Sequence, residues 1–137
     1  MKIMVMDGQG GGVGRLLVEA LVKTFADAEV VAVGTNATAT ANMMKGGTLS
    51  GATGENAVVY NSGRADVIVG PIGIVMANAM LGEITPKMAE AVTGADAKLF
   101  LIPMNRYHAT VVGVESKKLS EYVDEVVERV AEASRQL

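Results

Sequence analysis

An apolar run, Ile3-Met4-Val5-Met6, breaks into Asp7-Gly8-Gln9-Gly10-Gly11-Gly12-Val13-Gly14, after which apolar residues resume as Val13, Leu17, Leu21 and Phe25. A short continuous apolar run suits a buried strand, and a stripe at three- to four-residue spacing suits a helix packed on a sheet. The glycines between them let the backbone turn tightly and bring its N–H groups close to a ligand. The helix that follows turns its positive end to the same place. Strand, glycine loop and helix together are therefore shaped to cradle an anion such as a phosphate.

The same alternation continues along the chain. Glu29-Val30-Val31-Ala32-Val33 reads as a second strand closed by Gly34-Thr35-Asn36, and Ala37 to Lys45 as a short helix stopped by Gly46-Gly47. Thr48 to Gly63 is harder: a loop at Gly51-Ala52-Thr53-Gly54-Glu55-Asn56, then Ala57-Val58-Val59-Tyr60, which suits helix or strand, with a short helix from about Gly54 to Asn61 favoured. Asp66-Val67-Ile68-Val69 is a third strand, ending at Gly70-Pro71-Ile72-Gly73, and Ile74 to Leu81 is a helical segment. Thr85 as N-cap and Pro86 at the first helical position begin a helix that runs to about Val92. Lys98 to Ile102 is a fourth strand ended by Pro103, and Thr110 to Val114 a fifth. The gap between these two is too short for a parallel crossover of about a dozen residues, so they are expected to form an antiparallel hairpin. Ser116 is placed to cap a final helix whose apolar face is Leu119, Tyr122, Val123, Val126, Val127 and Val130. The expectation is one α/β domain over 1–137. It has a three-layer Rossmann-like fold and a mostly parallel five-stranded sheet of order 3-2-1-4-5, with the last strand antiparallel at an edge.

Composition narrows the function classes. Cysteine is absent, which excludes disulfides, thiol nucleophiles and cysteine-based zinc sites; a single histidine excludes a multi-histidine metal site, and no metal is expected. The net charge of −3 has no basic cluster behind it, which argues against a nucleic-acid surface. No stretch reaches the ~18 apolar residues that span a bilayer, and the N-terminal apolar run is too short for a signal peptide. A cytoplasmic location without membrane contact is expected.

In doubly wound sheets, ligands bind beyond the carboxyl ends of the strands, where strand order reverses. Those ends carry Asp7 to Gly14, then Gly34-Thr35-Asn36, Gly70-Pro71-Ile72-Gly73 and Pro103-Met104-Asn105-Arg106. Each alone suits a turn. As a set on one rim they mark a pocket, with Thr35, Asn36, Gly70, Pro71, Ile72, Gly73 and Asn105 joining the glycine loop. Gly8, Gly12 and Gly14 fit G-x-x-x-G-x-G, which resembles the cofactor loop of short-chain dehydrogenases and implies NAD(P) or another nucleotide. Two features stand against carrying over that activity. Neither an acid nor an arginine follows the second strand to read a ribose, and four residues past Tyr60, Tyr107 and Tyr122 stand Arg64, Val111 and Val126, so no Tyr-x-x-x-Lys pair exists. There is no Walker loop, since Lys45-Gly46-Gly47 reverses the needed order. Asp7, Glu55 and Arg106 are the candidates for catalysis. Asp7 either bonds loop N–H groups or holds a cation with the phosphate, Glu55 lies in the long loop, and Arg106 suits a phosphate or carboxylate clamp. Glu83, between two helices, reads as easily as a surface charge, and His108, beside the fifth strand, reads as a hairpin or surface residue rather than a catalyst.

The glycine loop, Gly34-Thr35-Asn36, Gly51-Ala52-Thr53-Gly54-Glu55-Asn56, Gly70-Pro71-Ile72-Gly73, Gly82-Glu83-Ile84-Thr85-Pro86 and Ile102-Pro103-Met104-Asn105-Arg106 occur in one order over nearly the whole chain. Together they resemble an uncharacterised bacterial Rossmann-like family, domain of unknown function 3842. The resemblance implies a single Rossmann-like cytoplasmic domain and brings no substrate. Three functions stay open: a module binding a nucleotide or dinucleotide phosphate as a sensor or regulatory subunit, an enzyme on a small phosphorylated or carboxylated metabolite, and a non-catalytic assembly protein. A homo-oligomer, a dimer foremost, is expected, because so much Met- and Val-rich surface lies on few helices.

Overall fold

The computed structural model describes residues 1–104 and 108–137. Five strands, β1 (Lys2–Asp7), β2 (Glu29–Gly34), β3 (Gly51–Thr53), β4 (Val67–Pro71) and β5 (Lys98–Ile102), form one sheet in the order β3-β2-β1-β4-β5. Every pairing is parallel. Five α-helices accompany them: α1 (Gly12–Thr24), α2 (Ala37–Met44), α3 (Glu55–Ser62), α4 (Pro86–Thr93) and α5 (Leu119–Ser134).

The central strand explains the layering. Ile3 and Val5 of β1 face a core built with Leu17, Leu21 and Val130 of α1 and α5, while Met4 and Met6 face a second core built with Val58, Met88 and Val92 of α3 and α4. A strand buried on both sides has no polar alternation, which is why the run reads as continuously apolar.

The order 3-2-1-4-5 stands, but two of its members differ from expectation. The third strand is Gly51–Thr53, whose register runs Ala32↔Gly51 to Gly34↔Thr53. Asp66–Val69 instead contributes to β4 beside β1, with Ile3↔Val67. The expected antiparallel hairpin is overturned. The last strand is Lys98–Ile102, parallel to β4, and Thr110–Val114 is exposed and irregular. Gly113 takes φ 88° in a turn where the Val114 N–H donates to the Val111 carbonyl at 3.4 Å. That turn ends the β-branched run before it can pair.

Helix starts divide the same way. Thr85 Oγ1 accepts from the Met88 N–H at 3.1 Å and Pro86 follows it, as its sequence implies. Ser116 does not cap α5. Lys118 stands at that position without a side-chain cap, and Tyr122 fixes the entry by donating its hydroxyl to the Glu115 carbonyl while accepting from the Lys117 N–H. The expected helix over 74–81 is a 3-10 turn at Ile72–Val75, followed by a loop to Ile84.

Candidate functional site

The chain leaves β1 at Asp7, which is 5% exposed. Its Oδ1 accepts from the Gly8 N–H and its Oδ2 from the Gly14 N–H, both at 2.8 Å. The carboxylate thus staples the strand end to the first turn of α1, where the positive end of the helix favours it. Of the two roles read from the sequence, loop bonding is the one these contacts support.

The glycines of the loop are not equivalent. Gly11 precedes α1 with φ 71°, a left-handed conformation, and a Cβ there would stand 2.6 Å from the Ala39 carbonyl oxygen. A Cβ at Gly14 would meet Met43 Sδ at 2.3 Å, and one at Gly8 would meet Met80 Sδ at 2.6 Å. At Gly10 and Gly12 it would meet nothing within 4 Å. Backbone contact and a left-handed φ therefore require glycine at Gly11, side chains crowd Gly8 and Gly14, and Gly12, counted in G-x-x-x-G-x-G, faces open space. The N–H groups of Gly10, Gly12 and Val13 donate to no described residue. They border a cleft of about 240 Å³ lined by Asp7 to Val13 with Pro71, Met80 and Met104. Its walls come from the carboxyl ends of neighbouring β1 and β4, the switch point of this sheet.

On the β2 side of the loop stands a residue that the sequence did not mark. Glu83 Oε1 accepts from the Gln9 N–H at 2.8 Å, from Thr35 Oγ1 at 2.6 Å and from Asn36 Nδ2 at 2.9 Å. Burial raises its pKa, but the donors Thr35, Gln9 N–H and Asn36 outweigh it, and the net shift is downward from the ordinary carboxyl value. Asn36 also donates to the Gln9 carbonyl at 3.0 Å and caps α2 by accepting from the Ala39 N–H at 2.9 Å. One amide therefore ties loop, strand end and helix together.

The loop that delivers Glu83 is strained. Asn78, Met80 and Leu81 hold φ of 68°, 57° and 56°, a region that L side chains rarely adopt. The turn is closed by the Asn78 N–H donating to the Ile84 carbonyl at 2.7 Å and the Ile84 N–H to the Ala79 carbonyl at 3.2 Å. Its effect is to set Met80 over Gly8 and Glu83 over Gln9, Thr35 and Asn36. The sequence offers one faint signal, Gly82 directly before Glu83 and the Thr85-Pro86 cap beginning two residues after it, which shorten the return to α4.

The family described as domain of unknown function (DUF3842) matches residues 2–135. The chain belongs to that family. Among curated proteins none matches it.

Other candidates disperse around this DUF3842 site. Pro71 lines the cleft, and Gly70 is where a Cβ would stand 2.5 Å from the Met6 carbonyl oxygen, so its smallness serves strand packing. Gly73 is buried in the 3-10 turn, and Ile72 borders a neighbouring hollow with Met76, Pro103, Met104 and Tyr122. Glu55 lies elsewhere: its Oε2 accepts from Thr85 Oγ1 at 2.6 Å, joining α3 to the cap of α4. Asn105 and Arg106 lie outside the described residues, and His108 is exposed. No helix among the described residues is long and apolar enough to cross a membrane.

Proposed function

We propose that this DUF3842 protein is a binding module for a nucleotide or dinucleotide, holding a phosphate at the Gly8–Gly14 loop. The observation that carries this reading is the set of three N–H groups, at Gly10, Gly12 and Val13, that donate to no described residue around the cleft at the switch point. Such N–H groups at a helix start are ready donors to phosphate oxygens. A cleft of about 240 Å³ accepts a phosphate group but is smaller than the ~300–1,000 Å³ typical of whole-ligand pockets. The rest of the ligand then extends along the rim toward Thr35 and Asn36. Binding rather than catalysis is favoured because both candidate catalytic carboxylates, Asp7 and Glu55, are engaged by the protein's own donors.

A thermal-shift panel of NAD, NADP, ATP, ADP and inorganic phosphate tests this. A ligand that binds only the folded chain adds about 2.7 kcal/mol at a hundred times its Kd, enough to raise the melting temperature by several degrees. The expected result is a rise with one or more nucleotides that Gly12→Ala abolishes. A panel in which no nucleotide raises it would overturn the proposal.

A further inference from the structure

We infer that Glu83 is the ribose-reading carboxylate of this site, selecting a free 2′,3′-diol and rejecting a ribose that carries a 2′-phosphate. The inference rests on the nucleotide reading above and adds a residue and a specificity to it. In dinucleotide-binding sheets, a carboxylate beside the end of the second strand accepts a ribose hydroxyl. Here that strand ends in Gly34-Thr35-Asn36 and has no acid of its own. The strained loop after β4 brings one from elsewhere: Glu83 sits on the two polar side chains that follow β2 and on the backbone of the glycine loop.

The two carboxylate oxygens divide the work. Oε1 takes all three donors, which fixes the group in place, and Oε2 accepts from no described residue. A rigid, ionised oxygen beside the phosphate loop is an acceptor waiting for a hydroxyl, and an O–H donated to a carboxylate is among the stronger hydrogen bonds. The same oxygen confronts a 2′-phosphate with like charge and no proton to share. Among the described residues, Arg15 on this loop's flank is engaged away from Glu83: it donates to Asn42 Oδ1 at 3.1 Å, and Asn42 donates to the Gly10 carbonyl at 2.9 Å. Arg15 is not among the donors that hold Glu83.

Calorimetric titration of the full chain with NAD and NADP, and with ADP and 2′-deoxy-ADP, provides the test. Wild type is expected to bind NAD at least about tenfold more tightly than NADP, and ADP more tightly than its 2′-deoxy form; Glu83→Gln should shrink the NAD/NADP ratio to about threefold or less. Circular dichroism and the melting temperature establish that the variant is folded, and the ADP pair on wild type carries the test if it is not. Equal affinity for NAD and NADP, or an unchanged ratio in Glu83→Gln, overturns the role of Glu83 and leaves nucleotide binding standing. Absence of binding by all four ligands overturns both.

Discussion

Two neighbouring glycines separate folding from binding at the level of single residues. Gly11→Ala places a side chain in a left-handed conformation and 2.6 Å from the Ala39 carbonyl, so it should cost at least about 2 kcal/mol in a urea titration. Gly12→Ala adds a methyl group where nothing lies within 4 Å, and at a helical position it should be neutral or stabilising by up to about 1 kcal/mol. If Gly11→Ala proves as harmless as Gly12→Ala, the packing assigned to Gly11 is wrong. Glu83 makes a prediction in pH. Its folded pKa is lowered because Thr35, Gln9 N–H and Asn36 outweigh the effect of burial, so folding favours the ionised form. That contribution is complete above the unfolded carboxyl pKa of about 4.3 and disappears as pH falls through the lower folded value. Glu83→Gln should therefore destabilise the protein by about 1–2 kcal/mol at neutral pH, with the gap to wild type closing in acid. A gap that stayed constant with pH would show that charge plays no part.

At the level of elements, legibility followed how far each signal reached along the chain. β1, β2 and the 67–69 run were readable because a strand buried on both faces must be continuously apolar, β5 because its half-buried Leu99, Phe100 and Leu101 still pack against the two cores, and α4 because Thr85-Pro86 is a local cap. β3 was not. Gly51-Ala52-Thr53 has little strand propensity, and its structure comes from pairing with Ala32, Val33 and Gly34. Val111, Val112 and Val114 failed in the opposite sense, with strand propensity but no partner strand among the described residues. Within the site, the glycine loop was legible from its flanks, whereas Glu83 depends on a contact spanning 74 residues to Gln9. The 76–84 loop also carries its own test. Leu81 is 97% exposed at φ 56°, so Leu81→Gly sacrifices no packing and relieves the left-handed backbone. The variant should be more stable by about 0.5 kcal/mol, the relief of strain exceeding the added freedom of the unfolded chain. A loss of stability would mean that Leu81 is held by something other than its backbone.

For the molecule as a whole, the two edges of the sheet pose different problems. β3 at one edge is three residues long, a common way of blunting an edge, whereas β5 at the other is five residues long and has no strand on its outer side among the described residues. Nearby, Val111, Val112 and Val114 are 47%, 94% and 44% exposed, and a hollow of about 680 Å³ lies between β5, the 113–117 segment and α5. An open edge with adjoining apolar side chains is the kind of surface that a second copy covers across a two-fold axis. Sedimentation at high micromolar concentration should therefore give twice the chain mass of 14.2 kDa. The double substitution Val112→Lys with Val114→Lys should return the single-chain mass with the helical signal and melting temperature of the folded monomer intact, because both side chains lie outside the two cores. Wild type sedimenting as a single chain would rule out self-association. A double variant that stayed dimeric would move the interface away from the β5 edge.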